Sequence, residues 1–285
     1  MSGVGFIGLG QIGGPMATRL LEWPDGLTVF DISPAATEPF ARAGAHVATS
    51  PAGVAERAEV ISIMVFDDAQ VTEVLTGPDG ILATARPGTV VAIHSTVEPD
   101  TPARLAAIAA EHGVEVLDAP VSGGFMGAHS GELAFMVGGS DEAVAKVREP
   151  FALMGPLVGH LGPIGAGTRA KLARNLITFA AYSAVGEALR LAEAAGVDLV
   201  KLGEVVRHSD KVTGGPGSIM IRGTATPLAP DDGLTPIFTH TRGLGEKDLH
   251  LAIALGEQVG VDLPIAHLAL EQLGAALGVP RQPDA

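Results

Sequence analysis

A lysine and an asparagine four residues apart are the side chains of this sequence that are best placed to do chemistry. Lys171 and Asn175 fall in a run that predicts a helix, and residues four apart share one helix face. A lysine whose surroundings lower its pKa can exchange a proton with a reacting group, and an amide beside it can orient a substrate. The alternative is a surface lysine with a polar neighbour. The other motifs of the sequence decide between these two interpretations.

A glycine-rich motif near the start of the chain predicts a binding site for a dinucleotide. An apolar run leads into Gly8-x-Gly10-x-x-Gly13, and a helical pattern follows it. Gly8 allows a tight turn, Gly10 lets the backbone approach a pyrophosphate, and Gly13 lets the helix pack against its strand. Amide groups at the positive end of the helix dipole would hold the phosphates. The predicted cofactor contacts of this loop are Gly8, Leu9, Gly10, Gln11, Ile12 and Gly13.

An aspartate at the end of the second predicted strand favours NAD over NADP. Asp31 follows the strand 27–30, where a carboxylate can bind the ribose 2′-hydroxyl and would repel a 2′-phosphate. Neither Ile32 nor Ser33 offers a positive charge to such a phosphate. We therefore expect NAD to be the preferred cofactor, with NADP left open. The alternative is a loop aspartate that caps the turn after it.

The segment 118–124, Asp-Ala-Pro-Val-Ser-Gly-Gly, offers a second group of polar contacts. It follows a predicted strand and combines the hydroxyl of Ser122 with the backbone amides of Gly123 and Gly124. Such a turn can hold a carboxylate. The alternative is an ordinary turn, because proline and glycine mark turns in every kind of protein.

Composition and charge exclude several classes of protein. With 32 acidic against 18 basic residues the net charge is −14, which argues against a nucleic-acid partner. The sequence has no cysteine, which removes disulfides, thiol nucleophiles and cysteine-ligated metals, and no pair of histidines has metal-binding spacing. We predict no metal, no membrane span and no signal peptide, and hence a cytoplasmic protein.

Short β-branched runs alternate with helical patterns up to about residue 162, which predicts a doubly wound, mainly parallel sheet. The helical patterns between the strands include 102–112 and 141–154. The predicted strands are 3–7, 27–30, 46–48, 60–64, 90–93, 114–117, 132–137 and 157–160.

The second half of the chain is rich in alanine and leucine and predicts helices alone, with 226–236 as a loop. The fold class is therefore α/β, a Rossmann-like domain (1–163) followed by an all-helical domain (164–285). A mean hydropathy of +0.34 suggests that some helix faces pack against another subunit, so we expect a homodimer or homotetramer that uses helix 168–195. The predicted helices are 168–195, 199–208, 244–259 and 265–277.

Four motifs in order resemble the β-hydroxyacid dehydrogenase family, which includes 3-hydroxyisobutyrate dehydrogenases, over almost the whole chain. The first is Gly-Phe-Ile-Gly-Leu-Gly-x-Ile-Gly-x-Pro-Met-Ala at residues 5–17, and the second is the segment 118–124. The third is Gly-x-Gly-x-x-x-Lys-x-x-x-Asn at residues 165–175. The fourth is Lys-Asp-Leu-x-Leu-Ala at residues 247–252. These motifs identify the family and leave the substrate open.

The resemblance implies a hydride transfer between a nicotinamide cofactor and a small β-hydroxy acid. Lys171 would be the general acid/base, and Asn175 would orient the substrate. Ser122, Gly123 and Gly124 would hold the substrate carboxylate. The cofactor would be contacted by Met64, Val65, Thr96 and Lys247, with Ser95 beside Thr96 and with Asp248 fixing the helix of Lys247.

Two departures from the family pattern concern the substrate. Phe66 stands where the family often has proline or serine, and His240 stands where an aromatic residue of the substrate pocket is expected, with Phe238 two positions earlier. We assign His240 to substrate binding, with a structural histidine as the alternative. The rival functions are an aldehyde-acid or imine reductase of the same fold and a non-catalytic nucleotide-binding protein. The imine reductase and the non-catalytic protein are disfavoured because such relatives usually lack the lysine, whereas the aldehyde-acid reductase stays open.

Overall fold

The computed structural model of this chain divides into two compact units, Met1–Arg174 and Asn175–Ala285. It describes residues 3–219, 221–222 and 224–280, with the backbone alone at residue 251. The predicted domains, 1–163 and 164–285, include residues 1–2 and 281–285, which lie outside the described residues. The predicted boundary between residues 163 and 164 stays a prediction.

Nine strands of the described chain form one mainly parallel sheet in the first unit, as the sequence predicts. The order is β3-β2-β1-β4-β5-β6-β8-β7, with β9 paired to β8, and β8 runs antiparallel to β6 and β7. The strands are β1 (Val4–Ile7), β2 (Leu27–Phe30), β3 (His46–Val47), β4 (Val60–Ile63), β5 (Val90–Ile93), β6 (Glu115–Asp118), β7 (Val121–Ser122), β8 (Ala134–Gly138) and β9 (Leu157–Gly162).

Alternate side chains of the central strands enter two separate cores, one on each face of the sheet. On β5, Val90 and Ala92 face one core, which also holds Phe151, while Val91 and Ile93 face the other. Burial on both faces explains the nearly continuous apolar runs from which these strands were predicted. The helices of this unit are α1 (Gly13–Arg19), α2 (Pro34–Arg42), α3 (Pro51–Ala55), α4 (Asp68–Thr76), α5 (Thr101–Ala110), α6 (Gly124–Ser130) and α7 (Asp141–Met154).

Several predicted strand ends differ from the structure by one or two residues, and two differences in this unit have a clear physical reason. The segment 118–124 is more than a turn, because Val121 and Ser122 form the short strand β7 against Phe135 and Ala134 of β8. A two-residue strand has no periodicity of its own, and its pairing depends on a partner remote in sequence. The strand predicted at 132–137 is shifted for a similar reason, since pairing with β9 carries β8 on to Gly138.

The remaining helices are α8 (Ala166–Ala194), α9 (Leu199–Thr213), α10 (Leu234–Val259) and α11 (Pro264–Ala276). Helix α10 begins at Leu234, so the predicted loop 226–236 is wrong in its last residues and the predicted helix 244–259 is too short. Pro236 lies in the first turn, where the missing N–H costs no helical hydrogen bond. Among the described residues, no helix is both long enough and apolar enough to span a membrane.

Candidate active site

The glycine-rich loop connects β1 to α1 with the geometry that its residue types predict. Gly8 has φ +93°, and a Cβ there would overlap the carbonyl oxygen of Met64. A Cβ at Gly13 would overlap the carbonyl oxygen of Gly8, so this glycine lets the helix approach its strand. At Gly10 a Cβ would meet no protein atom within 4 Å. The glycine at position 10 therefore leaves open space for a ligand, whereas the other two are required by the protein itself.

A pocket of about 480 Å³ lies beside this loop, at the carboxyl ends of β1, β2 and β4. The order of the sheet reverses between β1 and β4, and such a switch point is where doubly wound sheets bind ligands. Phe66, the first departure from the family pattern, lines this pocket and is 88% exposed. The lining also includes Gly8, Gly10, Gln11, Ile12, Gly13, Asp31, Ile32, Met64, Val65, Gln70 and Glu73.

Asp31 ties the glycine-rich loop to the end of β2. Its Oδ2 accepts the backbone N–H of Leu9 at 2.7 Å, and its Oδ1 accepts that of Ser33 at 2.8 Å. A carboxylate has about four acceptor positions, so both oxygens can still accept bonds from ribose hydroxyls. The side chain thus shapes the loop and presents a negative charge to the pocket. Among the described residues that line the pocket there is no lysine or arginine.

The loop after β4 is held by Ser95, two residues after the end of β5. The Ser95 hydroxyl donates to the Val65 carbonyl oxygen at 2.7 Å and accepts the Val65 N–H at 3.0 Å. This fixes Met64 and Val65 at the rim of the pocket. Ser95 is buried and Thr96 is exposed, so of the two only Thr96 is accessible to a ligand.

Lys171 lies in the second turn of α8, and its ammonium group reaches the substrate segment that the sequence predicts. Nζ donates to the carbonyl oxygen of Val121 at 2.6 Å, next to Ser122. Burial lowers the pKa of Lys171, and the neighbouring positive charge of Arg174 lowers it further. A lysine with a lowered pKa supplies more neutral amine at a given pH, as a general base requires.

The two glycines beside Ser122 adopt conformations that favour glycine. Gly123 has φ +132° and Gly124 has φ +62°, and both are exposed. Ser122 itself is half-buried on β7. The three predicted contacts for a carboxylate are thus consecutive, accessible and adjacent to the residue that Lys171 contacts.

Asp118 has a role that was not predicted from the sequence. Its buried carboxylate accepts the backbone N–H groups of Gly165 and Thr168, at the start of α8. Burial raises the pKa of Asp118, and the hydrogen bonds from these two amides oppose that rise. A signal was present in the sequence, because no Ser, Thr, Asp or Asn stands just before α8 to cap it.

His94 was also missed, because nothing in the sequence distinguishes it from a surface histidine. It is fully buried among Phe6, Phe135 and Phe151, and burial lowers its pKa to about 4. Its ring nitrogens hydrogen-bond to the carbonyl oxygen of Ala119 at 2.7 Å and to the Ser62 hydroxyl at 2.9 Å.

The other predicted site residues belong to the second unit, and their site roles stay predictions. Asn175 follows Lys171 by four residues on α8 and so shares its helix face. Lys247 on α10 forms an ion pair with Asp248 at 2.9 Å. His240 is exposed on α10, while Phe238 is buried with Leu277 and Val279 in the core of this unit.

Two family models together cover almost the whole chain. Residues 3–162 match the model described as the NAD binding domain of 6-phosphogluconate dehydrogenase. Residues 165–281 match the model described as NAD-binding of NADP-dependent 3-hydroxyisobutyrate dehydrogenase. Among the described residues, no group of three or more His, Cys, Asp or Glu side chains is arranged to hold a metal ion.

Several proteins are similar in sequence over most of their length. An uncharacterized oxidoreductase of Mycobacterium tuberculosis is 57% identical over 99% of this chain and 95% of its own. A probable mitochondrial 3-hydroxyisobutyrate dehydrogenase of Dictyostelium discoideum is 41% identical, covering 93% and 83%. The NAD-dependent L-serine dehydrogenase of Pseudomonas aeruginosa is 40% identical, covering 73% and 70%.

Several solved structures are also similar to this chain. A putative oxidoreductase of Mycobacterium avium has a TM-score of 0.93 at 54% identity, covering 98% of this chain and 99% of its own. A 3-hydroxyisobutyrate dehydrogenase of Mycobacterium tuberculosis, solved with L-serine, has a TM-score of 0.67 at 31% identity, covering 96% and 93%. An imine reductase of Myxococcus stipitatus has a TM-score of 0.75 at 20% identity, covering 97% and 94%, and shares the fold alone. The chain belongs to the β-hydroxyacid dehydrogenase family and is an NAD(P)-dependent oxidoreductase of hydroxy acids.

Proposed function

We propose that this dehydrogenase oxidises a small β-hydroxy acid of the 3-hydroxyisobutyrate type, with NAD as its preferred cofactor and Lys171 as general acid/base. The observation that carries the proposal is the hydrogen bond of Lys171 Nζ to the Val121 carbonyl oxygen, beside Ser122. It brings a titratable amine next to the residues that we propose as carboxylate contacts. In a β-hydroxy acid the hydroxyl and the carboxylate lie close together, as such neighbouring contacts require.

The residues around the pocket fit a dinucleotide. The open space at Gly10 would admit a pyrophosphate, and Asp31 would accept hydrogen bonds from a ribose. Met64, Val65 and Thr96 would continue the contacts, and we propose Lys247 as a further contact. A bound nicotinamide supplies the acceptor for the hydride that leaves the hydroxyl-bearing carbon.

Lys171 would move the proton of the reaction. In the oxidative direction its neutral amine accepts the proton of the substrate hydroxyl, while the carbon–oxygen bond becomes a carbonyl. In the reverse direction its ammonium group returns a proton to the developing alkoxide. The lowered pKa of Lys171, caused by burial and by Arg174, favours the first of these roles.

The remaining contacts would orient the acid. Ser122, Gly123 and Gly124 would bind the carboxylate through a hydroxyl and two backbone amides, and Asn175 would orient the hydroxyl from the face of α8 that it shares with Lys171. His240 would contact the substituent that differs between substrates. The names of two relatives contain 3-hydroxyisobutyrate and L-serine. Both compounds carry a CH₂OH group on the carbon that bears the carboxylate. This shared arrangement supports the proposed substrate class.

A substrate panel tests the proposal. Reduction of NAD⁺ and NADP⁺ is followed by absorbance with 3-hydroxyisobutyrate, L-serine and other β-hydroxy acids, with lactate as the matched α-hydroxy control. We expect turnover with at least one β-hydroxy acid and little with lactate. Oxidation of NADH or NADPH with imines, measured in the same way, without turnover of any hydroxy acid would assign the chain to imine reduction. NADH binding without any turnover would assign it to nucleotide binding.

A further inference from the structure

The carboxylate of Asp118 is bonded to the first turn of the helix that carries Lys171. Asp118 is fully buried at the end of β6, where Oδ1 accepts the Gly165 N–H at 2.6 Å and Oδ2 accepts the Thr168 N–H at 2.5 Å. Amides in the first turn of a helix have no partner within the helix. A carboxylate is a strong acceptor for them, and the positive end of the helix dipole favours its charge.

The packing around this contact leaves the helix little freedom to shift. A Cβ at Gly167 would overlap the carbonyl oxygen of Met136, and a Cβ at Gly138 would overlap the carboxylate of Asp118. The first turn of α8 therefore lies directly against the ends of β6 and β8. Two bonds from the two oxygens of one carboxylate restrict both the rotation of this turn and its position along the helix axis.

A second contact joins the same two segments three residues further along each of them. Lys171 lies three residues after Thr168, and its Nζ donates to the carbonyl oxygen of Val121, three residues after Asp118. Two contacts thus join the segment that contains Ser122 to the start of α8. The Asp118 carboxylate makes the first contact and Lys171 makes the second. Any movement of the first turn would carry Lys171 away from Ser122.

We propose that Asp118 is a positioning residue of the reaction, which sets the place of Lys171 relative to Ser122 by holding the first turn of α8. The proposal rests on the proposed function of Lys171. Asp118 acts through the helix, without contact to the substrate.

The variant Asp118→Asn tests this role, because an amide has one acceptor oxygen and its NH₂ group would face one of the two N–H donors. We expect kcat to fall roughly tenfold to a hundredfold, the effect of misplacing a catalytic group by about 1 Å. NADH affinity should stay unchanged, since the glycine-rich loop and Asp31 bind elsewhere on the sheet. The pH at which kcat/KM levels off should rise, because a displaced lysine is less buried.

Glu187→Gln is the matched control. The buried carboxylate of Glu187 accepts the backbone N–H groups of Ile265 at 2.7 Å and Ala266 at 3.2 Å, at the start of α11. The chemical change and the loss of a helix cap are the same as in Asp118→Asn. This variant should lose thermal stability, yet keep the kcat and the pH profile of the wild type.

A folded Asp118→Asn variant with wild-type kcat and pH profile would overturn the inference. If that variant does not fold, Asp118→Ser replaces it, since serine is smaller and its oxygen still accepts one amide, and the same outcomes apply. Lys171→Ala in the same assay separates the two proposals. Near-native turnover of Lys171→Ala would contradict the proposed function, whereas its inactivity beside an unaffected Asp118→Asn would contradict the positioning role alone.

Discussion

At the scale of single residues, the chemistry depends on the protonation of one amine. Replacing Lys171 by alanine should lower turnover roughly a hundredfold to ten-thousandfold, the range for loss of a general acid/base. NADH binding should be nearly unaffected, and Lys171→Arg should not restore turnover, because arginine stays charged. Steady-state kinetics and NADH fluorescence titration measure both effects. Near-native turnover of a folded Lys171→Ala variant would show that the lysine is structural.

The same amine predicts the pH dependence of the wild-type enzyme. Burial and Arg174 lower the pKa of Lys171 below its ordinary value of 10.5. In the oxidative direction the neutral amine is the active form, so kcat/KM should rise with pH and level off below pH 10.5. A profile measured with the best substrate of the panel checks this. A rate that does not depend on pH at any value below 10.5 would argue against the lysine as base.

Asp31 is expected to decide between the two cofactors. Asp31→Asn keeps an oxygen for the Leu9 amide but removes the charge, so the loop should stay formed while NADPH affinity rises about tenfold. Fluorescence titrations of wild type and variant with NADH and NADPH measure this change. Wild-type enzyme that binds NADPH as tightly as NADH would contradict the predicted preference for NAD.

At the scale of elements, two glycines of one loop should respond differently to the same substitution. Gly10→Ala should fold with wild-type stability and lose cofactor affinity, because its Cβ would meet no protein atom but would enter the space proposed for the pyrophosphate. Gly13→Ala should lose roughly 1–3 kcal/mol of stability, because its Cβ would push α1 away from the Gly8 carbonyl. Thermal unfolding and NADH titration of both variants separate the two effects. Equal behaviour of the variants would refute this assignment.

At the scale of the whole molecule, one buried histidine should limit stability in acid. The pKa of His94 is lowered from 6.5 to about 4, so between these values the unfolded chain binds a proton that the folded chain does not. The free energy of unfolding is therefore not reduced by His94 above about pH 6.5. As the pH falls from 6.5 to 4, this group lowers it by about 3 kcal/mol. Urea unfolding of wild type and His94→Gln across this range gives the free energy of unfolding at each pH. It should fall more steeply with acid in the wild type, by the uptake of about one additional proton on unfolding. Parallel curves would exclude His94 as the cause.

The exposed apolar residues of α8 agree with the prediction of a homo-oligomer, which stays a prediction. Leu176, Phe179 and Tyr182 are 71%, 60% and 66% exposed within the second unit. Sedimentation at micromolar concentration should show a dimer or tetramer, and Phe179→Asp should shift it toward the monomer. A wild-type monomer at that concentration would contradict the prediction.

Residue types and spacing determined most of the fold by themselves. Fully buried parallel strands appear as short apolar runs, so β2 and β5 were predicted with their observed ends, and long amphipathic helices such as α7 were equally clear. The cofactor loop was predictable because Gly13 is required by a close approach within one strand–turn–helix unit and the tight turn at Gly8 needs a positive φ, which favours glycine. The Lys171–Asn175 pair was predictable because residues four apart share a helix face.

Only the tertiary structure decided how remote segments meet. The sequence shows that Asp118 follows a strand and that Gly165 precedes a helix, but not that the carboxylate caps that helix. The strand β7 exists because β8 pairs with it, and the burial of His94 depends on aromatic side chains from three other elements. Spacing along the chain predicts contacts within an element or across one turn, whereas these contacts join segments far apart in sequence, whose approach depends on the packing of the whole sheet.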